Sequence, residues 1–485
     1  MKQLLIRMRK AYSFEQILAE QGNQGSIDST GRIEGQSGDV QVGAGFLTST
    51  YQLNSSQSKS TSYRSFLISN YLKELSMHNK ITKKLLIGAS MLATATGAFA
   101  APTSEIMPLT VKSIAVFGDS PYGLNPTDNL EVLATPAFID SINADLDVSL
   151  VLHVGDIHSG KSFCTEAYDQ TVFGLWNDPM TGFFDPLVYT PGDNEWSDCH
   201  KTGEGGGLYN AATGVIDYKL DANGFPIDYA SGDPIANLDL VRSIFFSNPG
   251  HTLGDSKLVL SQAQVPTLPA NKSDRKYVEN VMWMQSRVLF VTVNIPGGSN
   301  NDNDIWYGTP TISLAQTTEI AERTAADQRW LDYAYFVAKV LDAKAMVIQE
   351  QADMWDLDGK PSTHIAEYKK SFIDKIAVKT KAFGKPVLLI NGDSHKYRSD
   401  NPLKANVACV IESGATETAC ADDAYTIQST NLPFTNYDLN NFHRIVVHGS
   451  TFPLEWLKLS INTSVNVPGS ANAFGPFIWE RKIQP

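Results

Sequence analysis

The sequence has no long block of Lys or Arg, although its 485 residues include 39 basic and 52 acidic side chains. Proteins that bind nucleic acid usually carry a cluster of positive charge, so no nucleic-acid partner is predicted. The chain also has no internal repeat, and no apolar run after residue 100 is long enough to cross a membrane. A formal net charge of −13 fits an acidic surface that keeps the protein in solution.

Near the N-terminus, residues 77–103 contain the three parts of a secretory signal peptide. A short segment with three lysines comes first, the apolar stretch LLIGASMLATATGAF follows, and AFA at 98–100 is a small-residue cleavage site. Such a signal normally begins a chain, which predicts that Met77 is the initiator. The alternative is a long disordered extension followed by a membrane anchor.

The signal peptide defines the predicted organisation of the chain. The mature protein is predicted to be periplasmic or secreted after cleavage near Ala100. The segments are a non-native or disordered extension at 1–76, the signal peptide at 77–100 and one domain at 101–485.

Cysteine is scarce as well, and all four cysteines follow the signal. In an exported chain an even number suggests two disulfides. Pairing of nearest neighbours predicts the bonds Cys164–Cys199 and Cys409–Cys420. Four cysteines allow three pairings, however, and free buried thiols are the alternative.

Four apolar segments end in the same dipeptide, Gly-Asp. Their β-branched residues predict buried parallel strands, and the glycine permits a sharp turn where each strand ends. The first three aspartates are 37 residues apart, which suits a strand, a crossover helix and the next strand. The four aspartates are Asp119, Asp156, Asp193 and Asp393.

Right-handed crossovers place successive strand ends at one edge of a sheet, where α/β folds have their sites. Four carboxylates gathered there repel one another unless a cation or shared protons offset the charge. Oxygen ligands suit hard divalent cations, so a metal site is predicted. The alternative is that Gly-Asp is a common turn pair, as at Asp233 and Asp255, which follow no obvious buried strand.

The order of these motifs resembles the calcineurin-like metallophosphoesterases. The matching segments are GDSPYG, HVGDIHSG, TPGDNEW, VIQEQAD and INGDSHKYR. ADQRWLDYAY is similar to a helix of the purple acid phosphatase-like branch, and the resemblance spans residues 112–457. It implies an α/β fold, a four-layer α/β/β/α sandwich, with a two-metal site.

The resemblance also implies roles for individual residues. Asp119 and His395 match ligands of the first metal, and Asp156 matches the carboxylate that bridges both metals. Asp193 takes the place of a ligand Asn, and Asp393 that of a ligand His.

Several histidines of the family pattern are replaced in this chain. Pro121 stands in one ligand position, Asn194 in that of the histidine that assists the leaving group, and Gln349 or Gln351 at a strand end. These replacements are mostly side chains that still coordinate through oxygen. One or two divalent ions are therefore predicted, with Mn, Mg or Ca favoured over Fe or Zn.

Further polar residues are candidates for catalysis and substrate binding. His158 and His200 follow two of the Gly-Asp motifs, and either is a candidate general acid, as is Asn194 for contact with the leaving group. Arg398 and Asn300 are candidates to contact a substrate phosphate. A solvated loop position is the alternative for these side chains.

The predicted function is an exported, metal-dependent hydrolase of phosphate esters that uses a metal-activated water. One alternative is a non-catalytic exported binding protein on the same scaffold. A second is a GDSL-type esterase with Ser120 as nucleophile, but the late Asp-x-x-His motif that such enzymes need is missing.

Overall fold

The computed structural model describes most of the chain after residue 111, and the predicted extension at 1–76 and signal at 77–100 lie outside the described residues. The described ranges are 112–123, 128–201, 207–210, 212–265, 274–300, 306, 311–356, 364–421, 425, 437–449 and 451–484. No helix in these ranges is long and apolar enough to span a membrane.

The described residues form 18 strands. They are β1 (Ser113–Phe117), β2 (Val148–His153), β3 (Pro186–Tyr189), β4 (Leu208–Asn210), β5 (Val215–Asp217), β6 (Leu253–Gly254), β7 (Leu260–Ser261), β8 (Val281–Gln285), β9 (Val288–Thr292), β10 (Ala345–Gln349), β11 (Val387–Asn391), β12 (Arg398–Asp400), β13 (Val410–Ser413), β14 (Thr416–Ala419), β15 (Phe442–Val446), β16 (Glu455–Ile461), β17 (Ala473–Phe474) and β18 (Phe477–Ile483).

Seven α-helices accompany the strands in the described part of the chain. They are α1 (Leu130–Ala144), α2 (Glu166–Asn177), α3 (Pro234–Phe245), α4 (Gly297–Asn300), α5 (Leu314–Val340), α6 (His364–Tyr368) and α7 (Asp374–Phe383). A π-helical turn at Lys369–Ile373 connects the last two.

Sixteen of the strands belong to two large mixed sheets. The first has the order β17-β18-β16-β1-β2-β3-β6, and the second β14-β13-β12-β15-β11-β10-β9-β8-β7. In the first sheet β1, β2 and β3 are parallel neighbours. In the second, β9, β10, β11 and β15 are parallel. Strands β4 and β5 form a separate hairpin.

Three hydrophobic cores show how the layers pack. The first core joins the second sheet to α5, α6 and α7, and Trp330 Nε1 of α5 also donates to the carbonyl of Thr292 in β9. The second contains inward-facing residues of both sheets, such as Leu152 and Val347, and the third joins the first sheet to α1, α2 and α3. Helices therefore cover the outer face of each sheet, which confirms the predicted α/β/β/α sandwich.

The elements predicted from hydrophobic period lie close to those of the structure. The crossover helix expected between the first two Gly-Asp strands is α1, which continues through Pro136, and the strands expected to end in Gly-Asp are β1, β2, β3 and β11. The described residues of segment 201–240 include the β4–β5 hairpin and the first half of α3, whose N-cap is Asp233.

Two disulfide bonds, Cys164–Cys199 and Cys409–Cys420, join the pairs that sequence proximity predicts. The first links the loop after β2 to the loop after β3, and both loops end at the sheet edge that carries the aspartates. The second closes the β13–β14 region at the far end of the second sheet.

Candidate metal centre

Three side chains with metal-binding atoms converge where strands of the two sheets end. Asp119 follows β1, Asp156 follows β2 and His395 follows β11. One donor atom from each lies within 4.8 Å of the others. His395 Nε2 lies 3.4 Å from Asp119 Oδ1. The residue types and their separation suit a divalent cation held by two carboxylates and one imidazole.

The environment of Asp119 is unfavourable for a carboxylate that has no cation beside it. Its side chain is fully buried, and Oδ1 accepts a hydrogen bond from the backbone N–H of Asp393 at 3.0 Å. Its Oδ2 is buried without a hydrogen-bond partner. Burial raises the pKa of Asp119 well above its usual range, and the negative charge of Asp393 raises it further. An orphaned, buried oxygen of this kind fits a metal ligand.

Asp156 lies in a similarly charged setting. Burial raises its pKa well above the usual range, and the charges of Asp193, Glu195 and Asp119 add to the effect. Its Oδ1 accepts a hydrogen bond from the backbone N–H of Asn194 at 3.2 Å. A cation would offset the mutual repulsion of these carboxylates.

The two glutamines at the end of β10 take different places. Gln349, which was predicted as a ligand, directs its amide to the carbonyl oxygens of His153 and Val188 and does not join the carboxylates. Gln351 reaches the cluster instead, where its Nε2 donates to Asp156 Oδ2 at 3.0 Å. The two glutamines are two residues apart, so Gln349 lies one pleat deeper between the sheets.

Asp193 and Asp393 flank the three-residue cluster. Asp193 Oδ1 accepts a hydrogen bond from Gln351 Nε2 at 2.9 Å, and Asp393 Oδ2 accepts one from the backbone N–H of Asp353 at 3.0 Å. A Cβ on Gly297 would lie 2.8 Å from Asp193 Oδ2 and 2.7 Å from Asp393 Oδ1. Both predicted carboxylates therefore border the centre, and only a residue without a side chain fits between them.

The structure does not present His158 or His200 as an exposed general acid. His158 is fully buried, packs edge-on against Tyr168 and contacts the carbonyl of Ser159 through Nδ1 at 3.1 Å. Burial lowers its pKa to about 4, so the ring is neutral at neutral pH. His200 is only 4% exposed. Neither belongs to the three-residue group with metal-binding atoms.

The three residues predicted to contact the substrate differ in whether their side chains are free to do so. Arg398 donates through Nε to Asp400 Oδ2 at 2.8 Å, so its charge is already paired. Asn300 is the last residue of α4, and its side chain lies outside the described residues. Asn194 is half-buried beside Asp156 and remains the best placed of the three.

Tyr122 is a residue of the centre that the motif comparison missed. Its side chain is 2% exposed, and its hydroxyl lies 3.0 Å from His395 Nε2. The phenol and the Asp119 carboxylate therefore face the same ring nitrogen of His395. Its location in the GDSPYG turn, three residues after Asp119, was the signal that could have identified it.

Backbone conformation also distinguishes this region. Asp119, Asp156, Asp393 and His395 all have positive φ values, of 48°, 57°, 73° and 63°. Non-glycine residues rarely adopt this left-handed conformation, which costs on the order of 1–3 kcal/mol at each position. Such costs are often found at functional sites, and three of the four residues, Asp119, Asp156 and His395, supply the donor atoms of the cluster.

The turn after β3 is held by Glu195. Its Oε1 accepts hydrogen bonds from the Tyr189 hydroxyl at 2.5 Å and the Gly192 N–H at 2.6 Å, and its Oε2 accepts one from the Ile157 N–H at 3.4 Å. The Cys164–Cys199 bond connects the same two loops. Together these contacts fix the positions of the loops that carry Asp156 and Asp193.

A second group with metal-binding atoms, Glu412, His448 and Glu455, lies elsewhere in the described part of the chain. Arg481 donates hydrogen bonds to Glu412 and Glu455, each at 2.8 Å. His448 Nδ1 lies 2.8 Å from Glu412. The guanidinium already supplies the positive charge, so this group is an ion network rather than a metal site.

The space around Asp119 leads to a prediction about Gly392. A Cβ at this position would lie 2.4 Å from Asp119 Oδ2. Gly392→Ala is expected to displace the carboxylate and to weaken Mn²⁺ binding at least about tenfold, as measured by isothermal titration calorimetry. Gly174→Ala is the matched control, because a Cβ there meets nothing within 4 Å inside α2. Unchanged Mn²⁺ affinity in Gly392→Ala would contradict a ligand role for Asp119.

Comparisons with known proteins say little about the role of this site. No family model matches the chain, and no curated protein matches it in sequence. A solved structure titled "Structure of PhoD" aligns over 81% of this chain and 73% of that chain, with a TM-score of 0.36 and 9% sequence identity. Because the TM-score is so low, function has to be inferred from the residues of this chain.

Proposed function

We propose that the protein is an exported, metal-dependent hydrolase of phosphate esters, either a phosphomonoesterase or a phosphodiesterase. The observation that carries the proposal is the convergence of Asp119, Asp156 and His395, whose donor atoms lie within 4.8 Å of one another. The buried, unpartnered Oδ2 of Asp119 supports a cation at this point. The motif resemblance and the two disulfides, which suit an oxidising compartment, point the same way.

In this proposal Asp119, Asp156 and His395 hold the ion. A bound divalent ion supplies Lewis-acid polarisation of a phosphoryl oxygen and lowers the pKa of water. The backbone N–H of Asn194 orients Asp156, and the ring of Tyr122 lies beside the imidazole of His395.

The side chains near the centre also bear on the substrate. His158 is buried and neutral, and His200 is buried, so neither serves as an efficient proton donor to a departing alcohol. Asn194 can donate a hydrogen bond but not a proton. The proposed substrates are therefore esters with good leaving groups, such as aryl phosphates, which depart without protonation.

The test is hydrolysis of 4-nitrophenyl phosphate by the full chain with Mn²⁺ and with a chelator. We expect activity with Mn²⁺ and its loss in the chelator, with recovery when the ion is restored. Ser120→Ala should retain activity within about threefold, because the serine is not among the metal-binding residues.

Two outcomes would favour the alternatives. If Ser120→Ala removes an activity that the chelator leaves intact, the serine esterase is correct. If Mn²⁺ binds but no phosphate ester is cleaved, the chain is a binding protein on the same scaffold.

A further inference from the structure

Gln351 joins two carboxylates of the candidate metal centre through a single amide group. Its Nε2 donates to Asp156 Oδ2 at 3.0 Å and to Asp193 Oδ1 at 2.9 Å. Both protons of the amide nitrogen are thus used, and that nitrogen has no lone pair to offer a metal. The space between Asp156 and Asp193 is where a second ion would bind if these two carboxylates shared one.

The orientation of the Gln351 amide is fixed from the opposite side. Its Oε1 accepts the backbone N–H of Gly297 at 2.5 Å. If the amide rotated by half a turn, its NH₂ group would face the Gly297 N–H, which is also a donor. Its oxygen would face the Asp156 and Asp193 carboxylates, which are also acceptors. All three hydrogen bonds would be lost, so the oxygen is not available as a ligand on this side.

The stem of the side chain is confined as well. Gln351 is fully buried, and a Cβ on Gly155 would lie 2.5 Å from its Cγ. Gly155 has a φ of 107°, a conformation that favours glycine. Its backbone therefore stays packed against the Gln351 side chain. The amide therefore has little freedom to withdraw and admit a cation.

We infer that the centre binds a single metal ion, at Asp119, Asp156 and His395, and that the Gln351 amide takes the place of a second ion between Asp156 and Asp193. This inference rests on the proposed function and narrows it. Asp193 is then a hydrogen-bond acceptor that orients Gln351 and is not a ligand. The two-metal site implied by the motif resemblance does not fit this half of the centre.

The experiment measures Mn²⁺ stoichiometry in the full chain by isothermal titration calorimetry and by metal analysis after gel filtration. The wild-type protein is expected to bind one Mn²⁺ per chain. Gln351→Glu has nearly the same shape and replaces the NH₂ donor by a third carboxylate, so it is expected to bind two. Electron paramagnetic resonance should then report coupled Mn²⁺ ions in the variant and isolated ions in the wild type.

Two further variants separate the contribution of the Gln351 amide from that of the Asp193 carboxylate. Gln351→Met removes the amide without adding a hard ligand and is expected to keep one Mn²⁺ per chain. Asp193→Asn should also keep one, with a Kd within about threefold of wild type. Gln351→His repeats the second-ion test if Gln351→Glu does not fold, as judged by circular dichroism.

The results distinguish this inference from the proposed function. Two Mn²⁺ ions per wild-type chain, or a single ion in every folded Gln351 variant, would overturn the one-metal inference and leave the metal-dependent hydrolase standing. Absence of any Mn²⁺ binding by the wild-type chain would overturn the hydrolase proposal, and the one-metal inference would fail with it.

Discussion

Asp156→Asn is expected to weaken Mn²⁺ binding by more than about a hundredfold and to reduce hydrolysis of an aryl phosphate by at least the same factor. Asp156 is one of the three residues of the candidate metal centre. Its Oδ1 accepts a hydrogen bond from the Asn194 N–H, and its Oδ2 accepts one from Gln351. Asparagine keeps the size of the side chain but removes the negative charge that attracts the cation. Calorimetry and initial rates measured at fixed Mn²⁺ provide the test.

Asp255→Asn is the matched control for this prediction. Asp255 also follows glycine, but it is exposed and lies outside the described group with metal-binding atoms. Its replacement should leave Mn²⁺ affinity and rate unchanged. Equal effects of the two substitutions would mean that the Gly-Asp pairs act only as turns.

The Gly-Asp pattern made much of the site predictable, because it reflects a local feature of the chain, a buried strand followed by a turn. A buried parallel strand has a recognisable apolar run, and the residue after its final turn lies at the sheet edge. Asp119, Asp156 and Asp193 could therefore be assigned to one edge before any contact was known. The four-layer sandwich was implied by the motif resemblance and not by the pattern of strands alone.

Some features of the site could not be predicted from the sequence. They depend on how deep a side chain lies between the sheets and on contacts with residues far away in the sequence. Gln349 and Gln351 have the same residue type and the same parity along the strand, so only their depth between the sheets separates them. His158 follows a motif aspartate and was a candidate general acid, yet its ring is buried and packs edge-on against Tyr168. The Tyr122 contact with His395 joins residues 273 positions apart, which no sequence spacing encodes.

A buried ion network beside the candidate metal centre also depends on partners that are distant in the sequence. Arg444 on β15 forms a bidentate pair with Asp400 on β12, with distances of 2.9 and 2.8 Å, and also donates to Asp353. Asp353 in turn accepts the Ser394 hydroxyl at 2.9 Å and donates its N–H to Asp393. The network thus connects the sheet to the loop that carries His395.

Breaking this network should cost more stability than any surface change. Asp400→Asn removes one of two counterions from a fully buried guanidinium, which typically costs about 3–5 kcal/mol. The free energy of unfolding, obtained from urea titrations at pH 7, is the measurement. Asp438→Asn serves as control, because its ion pair with Lys404 is 75% exposed on the aspartate side and should contribute less than about 1 kcal/mol.

The same pair predicts how the Asp400→Asn effect depends on pH. Burial raises the pKa of Asp400, but the charges of Arg444 and Arg398 outweigh burial and lower the pKa to about 2. A carboxyl whose pKa is lower in the folded protein stabilises the fold above its unfolded pKa, and this contribution is lost as the pH falls. The difference in unfolding free energy between wild type and Asp400→Asn should therefore shrink by about 2 kcal/mol between about pH 4 and pH 2. A difference that stays constant over this interval would mean that the pKa of Asp400 is the same in the folded and the unfolded protein, so that Arg444 and Arg398 do not favour its ionised form.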